Sequence, residues 1–540
     1  MAAVSPSPPA AASIDRGDSG LQAYARARLA EGDNALGLAV AGYRAALKQD
    51  PDRVEIARRS YVQALESGDG ALALQSAALL DGAGMLPRDG TLLRIGDALA
   101  RKDWQAASAL TDRMTQEGNF SFLSAIVRSW IAVGQGNYAP PTIDAKDRFA
   151  SLGQRYLDEH VAYQALNHRD LSAAIPAVRR ALVARARDGA ALRLTFAAQL
   201  AGIGARDEAL MLLPADHANF NVARAAILRG RAKEQPFTPA QGYARLLARL
   251  AVDISSDPAG RALGLRLARM ATFADPLGAE PHIVAARLLV EQDHAGAAVQ
   301  EAAKVPAKNW FAPLAQAELI DALAASGNLA GALALARQQA SVPGAEPERQ
   351  VRLGRLLAES RDFDGAAAAF RAAQASYEPD KLPWTLLLFE GSALEQGKRW
   401  TEAREVLERA ARIAPDEPAI LNYLGYAQIE RRQNVEAALE LIKKASALKP
   451  DDAAIADSLG WAQFVTGNVA AAVPSLERAA LGAPTDATIN EHLGDALWTA
   501  GRRYEARYAW SAAAINAQGD VAARLAAKSE EGLKPEYAAP

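Results

Sequence analysis

The feature that most constrains this chain is a self-similarity at a step of 34 residues in its last third. Leu459-Gly460 returns as Leu493-Gly494, Gly467 as Gly501, Ala472 as Ala506, Leu476 as Trp510 and Ala479 as Ala513. Going backwards, Leu424-Gly425, Ala438, Ala445 and Pro450 keep the frame with one extra loop residue. Gly391, Ala403, Leu407, Ala410 and Pro415 form another copy, Leu353-Gly354, Ala366, Phe370 and Ala373 a fifth, and Gly327, Ala332 and Ala336 a weaker sixth. A unit this short cannot bury its apolar face alone, so copies must stack and share a core with their neighbours. A chain of 540 residues would also divide into domains of roughly 150 residues each. The period favours one elongated array instead.

The spacing has a physical reading. Gly460 and Ala472 fall where two antiparallel helices would cross, and a larger side chain there would push them apart. Leu459, Leu476 and Ala479 share helix faces at a period of 3.6 residues. Gly467 opens the turn inside the pair, Pro484 ends the second helix, and Asp486 can cap the next one. No segment alternates apolar and polar residues in a β-branched run, so essentially no sheet is expected. Leu-Gly, a Gly seven residues on, Ala five after it, an apolar residue four later, Ala three later and a closing Pro resemble the tetratricopeptide repeat. The resemblance implies an all-α fold, a right-handed α-solenoid (superhelix) of stacked antiparallel helix pairs with a concave and a convex face.

The pattern also suggests an organisation. Residues 1–16 read as a disordered leader and 17–133 as degenerate repeats. Residues 134–147 read as a linker carrying Pro140 and Pro141, and 148–235 as middle helical repeats. Residues 241–528 form a C-terminal array, and 529–540 a disordered tail. The start, MAAVSPSPPAAAS, lacks a basic segment and places Pro6, Pro8 and Pro9 where an apolar one should lie. It reads either as a flexible leader or as what remains after a signal has been removed.

Composition and motifs exclude most chemistry. The net charge of -3 and an aromatic content of 6% argue against nucleic-acid binding, and no three Lys/Arg residues are consecutive. With no cysteine there is no disulfide, thiolate metal site or thiol nucleophile. No apolar stretch approaches the roughly 18 residues of a membrane span. Zinc, dinucleotide and nucleophile-elbow motifs are absent, and the Gly391–Lys398 segment has the wrong spacing for a phosphate loop. Gly17-Asp18-Ser19-Gly20 reads as a turn and cap, and the six histidines read as surface or half-buried residues. The expectation is no enzyme, no cofactor and no metal.

What remains is a binding surface. In tetratricopeptide arrays the first helix of each pair lines the concave groove, which here would present Asn422 and Tyr426, Asp457 and Trp461, and Glu491 and Asp495. Ile429, Phe464 and Trp498 follow three residues further along. Tyr and Trp anchor interfaces because they bury much area with few rotors. Phe464 and Trp498 also fit the core between neighbouring helices, and for Trp461 both places stay open. The strip lacks the Lys/Arg and Asn set that clamps a peptide carboxylate in chaperone-binding members of the family. The order of segments over residues 241–515, with its NYLGY and DSLGW pairs, resembles long proteobacterial envelope proteins of this repeat class, among them outer-membrane lipoproteins that bind carboxy-terminal-processing proteases and present wall hydrolases to them. That resemblance implies a periplasmic or cell-envelope adaptor, although no lipobox cysteine is present. The alternative is a cytoplasmic scaffold supporting polysaccharide synthesis or secretion.

Overall fold

The computed structural model describes residues 20–144, 149–184, 189–232 and 235–537. Among these residues there are twenty-nine α-helices, a few short 3-10 turns and no strand. The expected leader lies outside the described residues, as do Gly17, Asp18 and Ser19 and residues 145–147 of the expected linker. The chain forms two compact units, the first ending at Glu346 and the second running from Pro347.

The second unit contains five helix pairs and a final single helix. Its first-of-pair helices are Pro347–Glu359, Trp384–Gln396, Pro418–Glu430, Ala453–Val465 and Ala487–Thr499. Their partners are Phe363–Gln374, Trp400–Ile413, Val435–Leu448, Val469–Gly482 and Arg503–Asn516, and Gly519–Glu531 closes the stack. Each pair crosses at its glycine. A methyl group built on Gly460 would come within 2.5 Å of the Leu476 side chain, and one on Gly425 within 2.7 Å of Ile442. Gly354, Gly391 and Gly494 meet Phe370, Leu407 and Trp510 in the same way. The turn in each pair puts at least one residue in the left-handed region, and that of the 418–448 pair puts two there, Arg432 and Asn434. Gly467 (φ 82°) and Gly501 (φ 84°) adopt it freely, whereas Arg361 (φ 63°), Lys398 (φ 60°) and Arg432 (φ 52°) adopt it against their Cβ. Asp486 caps the next helix as expected, its Oδ1 accepting from the amides of Thr488 at 2.9 Å and Ile489 at 3.1 Å.

The first unit uses the same helix pairs to a different end. Pro239–Ser255 and Arg261–Ala274 lie against the helices Val54–Ser67, Arg88–Ala100 and Ser124–Gly134. They are buried on most of their surface: Leu246, Leu247, Leu250, Leu265, Leu267 and Met270 are all buried, and so are Arg249 and Arg269. Polar ties fix the register. The Tyr243 hydroxyl donates to the Leu92 carbonyl at 2.9 Å, Arg266 pairs with Asp89 at 2.7 Å, and Arg269 donates to the Glu66 carbonyl at 3.1 Å. A methyl group on Gly242 would lie 2.2 Å from the Trp130 ring, so this helix packs there with no side chain between.

Two expected boundaries differ from the structure. The helices 239–340 belong to the first unit rather than to one array ending at 528, because the 239–274 pair is buried against helices far upstream in the sequence. The end of the first unit is itself tied down, with Ala218 N–H donating to the Gly344 carbonyl at 3.0 Å and Asn219 N–H to Glu346 at 2.7 Å. In the tail expected to be disordered, helix continues to Glu531 and a 3-10 turn covers Pro535–Tyr537. No helix among the described residues is long and apolar enough to cross a membrane.

Candidate partner-binding surface

The candidate strip lies on three successive first helices of the second unit, 418–430, 453–465 and 487–499. Tyr426 is half-buried and packs with Ile429, Trp461 and Phe464 around one apolar cluster. Burial, then the neighbouring Glu430, pushes its hydroxyl well above the usual tyrosine range, so it stays a neutral donor. Asn422 is half-buried, and its Oδ1 has no hydrogen-bond partner within the chain.

The other positions are more enclosed than an open strip requires. Trp461 is only 4% exposed. Its ring stacks on His492 at 4.0 Å and 12° and on Phe464 at 5.2 Å, and its indole N–H has no partner within the chain. His492 Nδ1 lies 3.0 and 3.1 Å from the two oxygens of buried Asp457. Glu491 accepts two parallel bonds from Arg524, both 2.8 Å, and one from Lys528 at 2.6 Å. Asp495, 1% exposed, holds Lys528 with both oxygens at 2.8 Å and accepts from the Trp510 indole at 2.9 Å. Burial raises the Glu491 carboxyl, but Arg524 and Lys528 outweigh it and hold the group below the usual carboxylate range.

Asp457, Trp461, Glu491 and Asp495 thus do not form an exposed strip. His492 on helix 487–499 covers Asp457 and Trp461, and the final helix Gly519–Glu531 covers Glu491 and Asp495. Trp498 stays half-buried, 5.4 Å from Trp510, with the Arg503 and Arg507 guanidinium groups each 5.1 Å from its ring centre and Gly532 against its edge. Phe464 is half-buried beside Trp461. Sequence reasoning missed His492, Arg524 and Lys528. A signal existed: His492 follows Asp457 by 35 residues, and Lys528 follows Asp495 by 33, about one repeat, which is where the covering helix must place its contacts.

The remaining histidine of interest lies in the first unit. His160 is fully buried and accepts the Trp130 indole N–H at 2.9 Å, and burial, then Arg245, pushes it down to about 3. It is a neutral core acceptor, and among the described residues no three His, Asp or Glu side chains gather as a metal site would require.

The comparisons agree with this geometry. Models of the tetratricopeptide repeat match residues 351–418 and 458–523, and a second such model matches 393–461. Curated proteins give no match. Among solved structures, the Cut9 and Hcn1 hetero-tetramer of the APC/C is 13% identical, with 95% of this chain and 97% of that one covered at a TM-score of 0.38. A crystal structure of MamA is 20% identical over 35% of this chain and 96% of its own, at a TM-score of 0.27. At such scores nothing of what these proteins do carries over. The stretch these tetratricopeptide-repeat models match, residues 351–523, is the one whose helix pairs cross at Gly354, Gly391, Gly425, Gly460 and Gly494.

Proposed function

We propose that the protein is a non-catalytic scaffold that holds a partner protein or peptide on the first-helix face around Asn422, Tyr426 and Phe464. One observation carries the reading. The last helix pair has its acidic positions Glu491 and Asp495 covered by the chain's own helix 519–531, whereas Tyr426 and Phe464 are half-buried over their apolar cluster with no such helix among the described residues laid on them. A partner segment laid across them would bury that area as helix 519–531 does for the last pair. Asp457, Trp461, Glu491, Asp495 and Trp498 support the surface from beneath or beside it.

Replacing Tyr426 with a photo-cross-linking phenylalanine in the intact chain, expressed in its native cell, tests the reading. A defined cross-linked partner is expected there and not from the same group at the exposed Tyr504 of a second helix; identical products from both positions would contradict it. Tyr426→Ala should weaken the partner by about 2 kcal/mol, the range of an interface anchor. Trp461→Ala should instead destabilise the repeat by about 3–5 kcal/mol, as for a buried aromatic side chain.

On the resemblance of residues 241–515, we extend the proposal to an adaptor of the cell envelope that tethers a protease or wall hydrolase. A cytoplasmic scaffold for polysaccharide synthesis or secretion is the alternative. Blotting periplasmic, membrane and cytoplasmic fractions separates them, and a purely cytoplasmic protein would remove the envelope reading.

A further inference from the structure

The second helices of the second unit share an outward seam, whose members recur at the i, i+4, i+7, i+11 spacing of one helix face. In the 400–413 helix it carries Glu405, Glu408 and Arg412, and in the 435–448 helix Glu436, Glu440 and Lys443, as a solvated face should. The 469–482 helix keeps Glu477 there and ends on exposed Leu481. In the 503–516 helix the same positions are Tyr504, Tyr508, Ser511 and Ile515. Tyr504, Tyr508 and Ile515 are 74%, 61% and 81% exposed. The two tyrosine hydroxyls pair with each other at 3.0 Å, and the Ser511 hydroxyl donates to the Arg507 carbonyl at 2.7 Å. A seam that exchanges its charges for satisfied aromatic and aliphatic groups, still in water, is a contact surface.

Its spacing identifies the occupant. Tyr504 and Ile515 lie symmetrically about the midpoint of the seam, and so do Tyr508 and Ser511. A two-fold axis at that midpoint lays the helix antiparallel on its own copy. Tyr504 then meets Ile515 and Tyr508 seats over the small Ser511, each contact being made twice. Parallel copies would instead set Tyr508 on Tyr508 and leave a gap at Ser511. The flanking charges fit the antiparallel register, which brings Arg507 beside Ala514 and Glu505 beside Ala512 of the second copy. Both are already held within their own chain: Arg507 Nε donates to the Ser529 carbonyl at 2.8 Å, and Glu505 accepts from Arg502 Nε at 2.8 Å. No like charges meet and no charge is stranded.

We propose that the protein forms a reversible two-fold dimer through the outward seam of its 503–516 helix, packed antiparallel on the same helix of a second copy. Two tyrosines and an isoleucine from each copy bring the buried area to about 1,000 Å², where specific interfaces begin. Association is therefore weak, in the micromolar range. The seam lies on a second helix and the surface around Tyr426 on first helices, so the dimer does not rest on that surface.

Sedimentation of the intact chain from about 1 to 100 μM spans that range. A monomer–dimer equilibrium is expected, weakened at least about a hundredfold by Tyr508→Glu because the lost anchor counts twice. Glu440→Ala, on the corresponding seam two repeats earlier, and Tyr426→Ala should leave it unchanged, and circular dichroism checks each fold. The chain has no cysteine, so introduced thiols report the register. On oxidation, a mixture of Tyr504→Cys and Ile515→Cys chains should form a cross-linked dimer, and neither variant should do so alone. A photo-cross-linking group at Tyr504 should capture only this chain. A monomer over the whole range, equal association of wild type and Tyr508→Glu, disulfides formed by either variant alone, or capture of a different protein at Tyr504 would each overturn the proposal.

Discussion

The two units put stacked helices to opposite uses. In the first, the face formed by the helices 54–67, 88–100 and 124–134 is filled by the chain's own 239–274 pair, tied by Tyr243, Arg266 and Arg269. In the second, among the described residues, each first helix meets its own partner and its neighbours in the stack, and one terminal helix covers the last pair. The difference teaches that a solenoid face is a binding surface by default, and that a chain can spend it on its own folding. Stability in the second unit should therefore be local and roughly additive, and in the first cooperative over long sequence separations.

The largest effect should come from the buried ionic centre of the first unit. Arg269 is 2% exposed and lies 2.6 Å from Glu301, which also meets His282 and Lys304. Burial raises the Glu301 carboxyl, but these partners outweigh it and bring it down to about 2. Arg269→Met removes one partner and leaves a buried carboxylate under-compensated, at a cost of about 3–5 kcal/mol. Proteolysis should then open residues 20–346 as a whole and leave 347–537 protected. Cleavage confined to the 261–274 helix would break the contrast between the units.

Acid should act next, and on the first unit. Buried His160 is held neutral, down to about 3, whereas an unfolded histidine titrates near 6.5. The unfolded chain takes up the proton first, so this contribution is complete above pH 6.5 and is lost progressively as pH falls toward 3. At pH 5 the loss is about 2 kcal/mol, since each unit is worth about 1.4 kcal/mol. Glu301 adds its own loss only below about 4.5, because its depressed value stabilises the fold above that point. His160→Gln, which keeps an acceptor for Trp130, should flatten the dependence between pH 7 and 5. An unchanged slope in that variant would assign the effect elsewhere.

The smallest effect sharpens the repeat grammar of the second unit. Lys398 stands where Gly467 and Gly501 stand, with φ at 60°. Lys398→Gly should relieve that conformation and stabilise the 384–413 pair by about 1 kcal/mol, offset in part by the entropy of glycine in the unfolded chain. Chemical denaturation that shows a loss of stability would mean the turn is held by more than its backbone.

Much of the second unit could be read in advance, because its contacts recur at one repeat length. Gly460 at its helix crossing and the Asp486 cap follow from spacing alone, although the side chain Gly460 meets is Leu476 rather than Ala472. The role of the 239–274 pair did not follow. Its periodicity continues that of the later repeats, while its partners lie 151, 177 and 203 residues away at Leu92, Asp89 and Glu66. Helical periodicity reports that a face is apolar and says nothing about which distant face it meets. The candidate strip was legible as positions and not as exposure. Tyr426 and Phe464 stay half-buried, but Glu491 and Asp495 meet Arg524 and Lys528, which lie within the expected array and carry no part of the repeat pattern that would mark them as partners.

The most direct test of the contrast is residue-resolved hydrogen exchange on the intact chain, wild type beside Gly460→Leu. The substitution forces a side chain into the crossing with Leu476, at a cost of about 1–3 kcal/mol for overpacking. In wild type, the 239–274 helices should exchange last, together with 54–134, in one cooperative opening. In Gly460→Leu, protection should fall over 417–518 and stay unchanged over 54–134 and 239–274. Uniform loosening of both units, or 239–274 helices that exchange as fast as surface turns, would contradict a first unit closed on itself and a second unit open along its face.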